Sequence, residues 1–259
     1  MRRPIVTLTT DFGVSSPYVA ELKAVLLAAQ PELNLVDLTH AIPARSIRAA
    51  EVALRSAAFT FPIGTVHLVV VDPGVGTTRR PIAVAARGLI FVGPDNGVLG
   101  RALLEPGARA VVLDRKALWR EPLSSTFHGR DLFAPVAAEL ACGLALEDVG
   151  SAIADPIPST LPVVERGPGR VRGEVLAADD FGNLTSNIPA AEVDRGWRVT
   201  VGGSAATWCR TYGDAERGPL LCLAGSDGYL EIAIAEGSAA ARLGATAGLP
   251  LVCERSERG

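Results

Sequence analysis

A run of strand-forming residues that ends in an aspartate and a glycine turn constrains the fold of this chain most. Residues 66–71 read Val-His-Leu-Val-Val-Val and are followed by Asp72, Pro73 and Gly74. A short apolar run of β-branched residues that ends in Pro-Gly predicts a buried strand followed by a loop. In an open α/β sheet, ligands bind in the loops at the carboxyl ends of the strands. The pattern therefore predicts a ligand site at Asp72, although Asp-Pro-Gly is also ordinary turn chemistry.

The composition is that of a well-packed globular protein. The chain has 259 residues, of which 48% are hydrophobic and 20% charged, enough for one large domain or two modest ones. Its net charge of −3 and the lack of a basic stripe argue against a nucleic-acid partner. No apolar run approaches the roughly 20 residues of a membrane helix. The first residues also lack the apolar core of a signal peptide, so we expect a cytoplasmic protein with no membrane partner.

The cysteines and histidines do not predict a metal site. The four cysteines form no C-x-x-C pair, and the three histidines lie far apart in the sequence. His67 lies within the apolar run and is expected to pack or bond locally. His40 follows the second predicted strand, where a structural role is expected.

The first part of the chain alternates strand and helix patterns. Strands are predicted over residues 4–10, 33–38, 66–71, 81–86 and 89–92, and helices over 16–29, 44–58 and 132–142. This alternation predicts an α/β domain with a largely parallel central sheet, which we place at residues 1–155. Residues 156–169 have the proline and glycine content of a linker. Short strand-like runs between turns predict a smaller β domain at residues 170–259.

Several polar side chains follow predicted strands or lie in loops. Asp11, like Asp72, comes after a strand and before a glycine, so the two carboxylates are expected at one edge of the sheet. A carboxylate accepts two hydrogen bonds in parallel, which suits a vicinal diol such as that of ribose. His128 precedes a predicted helix and is a candidate substrate contact. In the second domain, Asn183 carries the donor and acceptor that read the Hoogsteen edge of adenine, and Phe181 is suited to stack on a base.

Six motifs occur in order along nearly the whole chain. They are Thr-Thr-Asp11-Phe-Gly, Val-Asp72-Pro-Gly-Val-Gly-Thr, Gly-Pro-Asp95-Asn-Gly, Phe-His128-Gly-Arg-Asp, Asp-x-Phe-Gly-Asn183 and Gly-Ser226-Asp-Gly-Tyr-Leu-Glu-Ile-Ala. Together they resemble the S-adenosylmethionine hydroxide adenosyltransferases, which are adenosine-forming hydrolases related to the fluorinating and chlorinating enzymes. The resemblance implies an N-terminal α/β domain and a C-terminal β-barrel-like domain. It also implies a homotrimer with active sites between one subunit's N-terminal domain and a neighbour's C-terminal domain.

The resemblance implies roles for individual residues. Asp72, Arg79 and His128 match the set that positions water or hydroxide, with Arg80 as a competitor for the arginine role. Asp11 matches the ribose ligand, and Asn183 the adenine ligand. The remaining substrate contacts that we predict are Ser226 at the methionine end, Asp179 with Asp180 as its competitor, Phe181 and Glu231.

The departures from the halogenating relatives favour hydrolysis. By the resemblance, those enzymes have a tyrosine where this chain has Asp72, and the fluorinating ones a serine at Gly129. A carboxylate repels a halide but accepts a proton from water. The sequence thus predicts attack of water on ribose C5′ of S-adenosylmethionine, giving adenosine and methionine, with no metal and no cofactor. A halogenase of the same fold and a binding module without catalysis are the alternatives.

Overall fold

The computed structural model describes residues 3–214 and 217–255. The chain divides into two compact units, Met1–Thr160 and Leu161–Gly259. The strands of the first unit are β1 Ile5–Thr10, β2 Asn34–Thr39, β3 Val66–Val70, β4 Pro81–Ala86, β5 Leu89–Pro94, β6 Arg109–Val112 and β7 Ser151–Ile153. Its α-helices are α1 Tyr18–Ala29, α2 Ile47–Ala57, α3 Gly100–Leu103 and α4 Ala134–Ala141.

The central sheet of the first unit contains the predicted parallel strands, but half of its strand pairings are antiparallel. Its strand order is β2-β1-β3-β5-β4-β6-β7, in which β2, β1, β3 and β5 run parallel and the last three strands pair antiparallel. Thr10 at the end of β1 pairs with Val70 at the end of β3. Asp11 and Asp72 therefore follow the ends of neighbouring parallel strands.

Helices cover both faces of this sheet because its central strand is apolar on both sides. Val66, Leu68 and Val70 of β3 pack in one buried cluster with α1 and α4. Val69 and Val71 pack in a second cluster with α2 and the residues around α3. Successive side chains of a strand point to opposite faces, so a continuous apolar run buries both.

His67 belongs to the packing of the sheet, as the sequence predicts. Its side chain is fully buried, its Nδ1 lies 2.7 Å from Thr7 Oγ1, and its ring stacks on Phe91 at 4.8 Å between centroids. Burial lowers the pKa of His67 to about 4, so the ring is neutral.

The proline-rich stretch after β7 is tied to the first unit by two buried carboxylates. Asp95 Oδ1 accepts a hydrogen bond from Ile157 N at 2.7 Å, and Glu51 Oε2 accepts from Thr160 N at 2.9 Å. A Cβ atom on Gly100 would lie 2.2 Å from Ser159 Cα, so only glycine permits this approach. Residues 155–160 are thus an ordered strap.

The second unit is a closed barrel. Its strands are β8 Glu165–Gly167, β9 Arg170–Ala178, β10 Leu184–Pro189, β11 Trp197–Val201, β12 Ser204–Trp208, β13 Leu221–Ala224, β14 Tyr229–Ala233 and β15 Pro250–Arg255, with the short helix α5 at Ala239–Leu243. Seven strands follow the order β10-β14-β13-β12-β11-β15-β9, and pairing of β9 with β10 closes the ring. β8 pairs with β9 outside it. Closure leaves the ring without a free edge and encloses an apolar core.

Helices of membrane-spanning length and hydropathy do not occur among the described residues.

Candidate active site

The loop after β3 folds back so that Arg79 meets Asp72. Val75 N donates to Asp72 O at 3.2 Å, and Thr77 Oγ1 donates to Gly74 O at 2.7 Å, which closes two successive turns. Arg79 Nε then donates to both carboxylate oxygens of Asp72 at 3.0 Å, and Nη2 donates to Oδ2 at 2.5 Å. The two side chains are only 5% and 10% exposed, so the pair is held in a largely dry setting.

His128 joins this pair through the same guanidinium. Its Nδ1 lies 2.8 Å from Arg79 Nη2. A guanidinium is a donor only, so Nδ1 accepts and the imidazole proton resides on Nε2. Burial and the Arg79 charge lower the pKa of His128, against the opposing effects of Asp72 and Asp131. The ring is therefore a neutral donor at its outer nitrogen. We refer to Asp72, Arg79 and His128 as the Asp-Arg-His cluster.

Close backbone packing fixes the cluster. The guanidinium of Arg79 lies 5.1 Å from the ring centroid of Phe133, which is fully buried. Gly76 has a φ of +77°, and a Cβ there would lie 2.4 Å from Ser125 O. A Cβ on Gly129 would lie 3.0 Å from Val70 Cγ1. Both glycines therefore let the Asp72 loop, the His128 loop and the end of β3 approach one another.

Asp131 anchors the loop that carries His128, a role that the sequence reasoning missed. Its buried carboxylate accepts from Arg130 Nε at 2.8 Å, Arg120 Nη1 at 3.1 Å and Ser124 N at 3.0 Å. Hydrogen bonds from Arg130 lower its pKa despite burial, so it stays ionised. Asp131 lies in a π-helical turn, Gly129–Phe133, that leads into α4. Its place within the Phe-His-Gly-Arg-Asp motif was the available signal.

Arg80 points to a different site. It donates to Asp95 Oδ2 at 2.8 Å through Nε and to Asp155 Oδ1 at 2.8 Å through Nη1. Its contacts therefore hold the strap, whereas Arg79 holds the Asp-Arg-His cluster.

Asp11 has its own anchor beside the cluster. Its Oδ2 accepts from Arg45 N at 2.7 Å, and Arg45 adopts a φ of +66°. One hydrogen bond leaves the half-buried carboxylate with further acceptor sites. The next residue, Phe12, makes an edge-on contact with Phe127 at 5.6 Å between centroids, which links the Asp11 loop to the loop of His128.

In the second unit, a tight turn between β9 and β10 presents Asn183. Asp179 Oδ1 accepts from the backbone N–H groups of Phe181 and Asn183, and Oδ2 accepts from Asn183 Nδ2 at 3.0 Å. Asn183 keeps its amide oxygen and a second N–H for other partners. The side chain of Phe181 is 80% exposed. Asp179, and not Asp180, is the residue that orients Asn183 by the hydrogen bonds of this turn.

The other two predicted contacts lie at the hairpin of β13 and β14. Ser226 is exposed in the turn between these strands. Glu231 of β14 accepts from Tyr212 OH at 2.5 Å, and burial raises the pKa of Glu231. Burial and the bond to Glu231 raise the pKa of Tyr212 to about 12.

Among residues 3–214 and 217–255, no group of three or more His, Cys, Asp or Glu side chains is placed to hold a metal ion. The four cysteines, all within that part of the chain, are free thiols.

Comparison with known proteins identifies the family. The N-terminal domain model of the SAM hydroxide adenosyltransferases, where SAM is S-adenosylmethionine, matches residues 6–150, and the C-terminal domain model matches residues 173–252. The chain belongs to the SAM hydroxide adenosyltransferase family. The resemblance carried by the six motifs is thereby confirmed.

Relatives in sequence and structure align with most of this chain. The (R)-S-adenosyl-L-methionine hydrolase of Thermus thermophilus is 43% identical, with 96% of this chain and 98% of the relative aligned. A fluorinase of Nocardia brasiliensis is more distant, at 28% identity over 90% of each chain. A crystal structure of an uncharacterized conserved protein from Thermotoga maritima superposes with a TM-score of 0.90 at 38% identity, over 97% of this chain and 100% of that one.

The charge state of His128 is open to a direct test. We expect its imidazole to titrate below the ordinary value of 6.5, and Arg79→Met to raise that pKa by removing the cation while leaving Asp72 beside the ring. In the wild type we expect turnover to stay constant from neutral pH down to the lowered pKa of His128. At pH values below that pKa turnover should decrease, because protonation at Nδ1 removes the acceptor of Arg79. NMR titration, with His128→Asn assigning the signal, measures both values. A wild-type pKa above 6.5, or no change in Arg79→Met, would contradict the neutral state assigned to the ring and its cause.

Proposed function

We propose that this protein hydrolyses S-adenosyl-L-methionine to adenosine and L-methionine by attack of water or hydroxide on ribose C5′. The observation that carries the proposal is the Asp-Arg-His cluster, in which Arg79 joins a carboxylate to a neutral imidazole. Support also comes from the family, in which a relative at 43% identity bears the name (R)-S-adenosyl-L-methionine hydrolase.

Asp72 is the group that we propose to accept the proton of the attacking water. His128 carries its proton on Nε2 and so accepts none there. The carboxylate of Asp72 accepts N–H bonds from Arg79 at both oxygens, and its four lone-pair positions leave room for a water O–H. A base positioned in this way typically accelerates a reaction about 10²–10⁴-fold.

Arg79 and His128 serve the attacking oxygen as donors. Arg79 keeps N–H groups on Nη1, and His128 keeps its Nε2–H. Fixed donors stabilise negative charge that develops on an oxygen, and they do so best where water is excluded. The C5′–O bond forms as the C5′–S bond breaks, and sulfur keeps the electron pair and leaves as neutral methionine. The leaving group needs no acid, and the step uses no metal or cofactor.

The remaining residues are proposed to hold the substrate. Asp11 accepts from the ribose diol, Asn183 reads adenine while Phe181 stacks on it, and Ser226 holds the methionine end. Asp179 and Glu231 support this surface through Asn183 and Tyr212. We propose a homotrimer in which each active site combines two groups of residues. Asp11 and the Asp-Arg-His cluster come from one subunit, and Asn183, Phe181 and Ser226 come from its neighbour. The cytoplasmic location stays a prediction from the sequence.

Isotope labelling tests the reaction. In H₂¹⁸O we expect the label at the 5′-oxygen of adenosine and none in methionine, because water attacks carbon and not sulfur. Mass spectrometry of the separated products measures both. Parallel incubations with chloride and fluoride test the halogenase alternative, and a protein-free sample controls for spontaneous breakdown. A 5′-halo product, label in methionine or a lack of adenosine would refute the proposal.

A further inference from the structure

We propose that His40 is a positioning residue that holds the Asp11 loop in the geometry that receives the ribose diol. This inference rests on the role of Asp11 in the proposed function. His40 directly follows β2, and Asp11 directly follows β1, which is paired with β2 in parallel. The His40 side chain is 7% exposed, so its contacts are made inside the protein.

Three hydrogen bonds, two of them made by His40 itself, fix the residues on either side of Asp11. Its Nδ1 lies 2.8 Å from Thr10 Oγ1, which in turn accepts from Phe12 N at 3.3 Å. Its backbone oxygen accepts from Gly13 N at 2.9 Å. The loop is therefore held before, immediately after and two residues after Asp11.

The proton positions of these bonds follow from the outer side of the ring. His40 Nε2 lies 3.0 Å from Asp37 Oδ1, and Lys23 Nζ donates to Asp37 Oδ2 at 2.6 Å. Burial raises the pKa of Asp37, but Lys23 and His40 outweigh it and the pKa is lowered. The Asp37 carboxylate lies beside Nε2 without an aligned hydrogen bond, and its negative charge favours the ring proton on Nε2.

The inner side of the ring is then an acceptor. Nδ1 accepts the hydroxyl proton of Thr10, which turns the lone pairs of Thr10 Oγ1 toward Phe12 N–H. The chain Lys23–Asp37–His40–Thr10 thus sets the hydroxyl orientation that the Asp11 loop requires.

This anchoring matters because Asp11 has to meet two ribose hydroxyls at once. Its carboxylate is fixed at one oxygen by Arg45 N, while its backbone direction depends on the loop. A displacement of about 1 Å is enough to lose directional bonds of this kind. His40 itself is not assigned a contact with substrate.

Two substitutions separate the contact of Nδ1 with Thr10 from the contact of Nε2 with Asp37. His40→Asn places an amide near the Nδ1 position and retains the bond to Thr10, whereas His40→Gln reaches toward Asp37 and loses it. Calorimetry measures binding of adenosine and of 2′,3′-dideoxyadenosine, which lacks the diol. For His40→Gln we expect adenosine to bind about 10-fold or more weakly and the dideoxy compound to bind as in the wild type. His40→Asn is expected to stay within about 3-fold of the wild type for both.

Turnover gives a second readout. With S-adenosylmethionine, His40→Gln should raise KM by about the same factor and leave kcat nearly unchanged, because the Asp-Arg-His cluster is untouched. Thr10→Val, which removes the hydroxyl at equal volume, should reproduce the diol-specific loss if His40→Gln does not fold.

The outcomes are decisive in both directions. Equal weakening of adenosine and the dideoxy compound, or a fall in kcat at constant KM, would overturn the positioning role. Asp11→Asn serves as the reference. If this variant binds the two nucleosides as the wild type does, Asp11 is not the ligand of the ribose diol, and the positioning role of His40 is refuted as well. Binding needs no turnover, so a protein that binds adenosine but fails the labelling experiment would refute the hydrolysis alone.

Discussion

Replacing Arg79 with lysine is expected to lower kcat by about 100-fold or more, although the positive charge is kept. Arg79 donates to both oxygens of Asp72 and to Nδ1 of His128 from one planar group. A lysine ammonium is a compact charge that cannot reproduce this fork, so the arginine and lysine side chains are not equivalent here. Steady-state kinetics at saturating S-adenosylmethionine measures the effect, with KM expected to change much less than kcat.

The neighbouring arginine supplies the matched control. Arg80→Lys is the same chemical change one residue away, at a side chain that contacts Asp95 and Asp155. It should leave kcat within about 3-fold of the wild type, since Arg80 makes no contact with the Asp-Arg-His cluster. A larger loss in Arg80→Lys than in Arg79→Lys would show that the arginine role belongs to residue 80.

This pair of arginines also shows where prediction from the sequence ends. Both follow the same turn, and the sequence favours Arg79 only through the family resemblance, with Arg80 as its competitor. The hydrogen bonds of Thr77 to Gly74 and of Arg79 N to Thr77 decide which side chain returns to Asp72. Contacts of this kind depend on the tertiary path of the loop, as do the contacts of Asp131 with three separate donors.

The α/β unit was predictable because its signal is local. The apolar run at residues 66–71 buries alternate side chains on both faces, and Pro-Gly ends it at the carboxyl edge of the sheet. The barrel was predictable only as a set of short strands. Its closure depends on the pairing of β9 with β15, of β10 with β14 and of β12 with β13, which join segments that no short-range pattern connects.

The strap was predicted as a linker for a related reason. Proline and glycine content is typical of a connecting segment, and it says nothing about what the backbone contacts. The buried acceptors Asp95 and Glu51 take up backbone N–H groups of residues 157 and 160, and this gives the segment a fixed path. Asp95 of the Gly-Pro-Asp95-Asn-Gly motif thus holds the strap, while Asn96 donates to Val71 O at 3.0 Å, directly before Asp72.

Subunit mixing is expected to restore activity to two inactive variants, and this is the most direct test of the proposed trimer. Asp72→Ala removes the proposed base on the first unit, and Asn183→Ala removes the proposed adenine contact on the second. Each variant alone should be strongly impaired when assayed below KM. If each site combines Asp72 of one subunit with Asn183 of its neighbour, random reassembly at equal amounts makes about one site in four intact. Recovery to about a quarter of wild-type activity is therefore expected.

Mixing the double variant Asp72→Ala/Asn183→Ala with the wild type further distinguishes sites shared between subunits from sites built within one chain. Before exchange, an equal mixture of wild type with Asp72→Ala/Asn183→Ala has half of the wild-type specific activity, whichever arrangement holds. After exchange, shared sites require two adjacent wild-type contributions, so activity should fall to about a quarter. Sites built within one chain would keep half of the activity, and the two single variants would stay inactive when mixed. Native mass spectrometry of differently tagged subunits establishes that exchange has occurred, so an unchanged activity in exchanged trimers would refute the shared site.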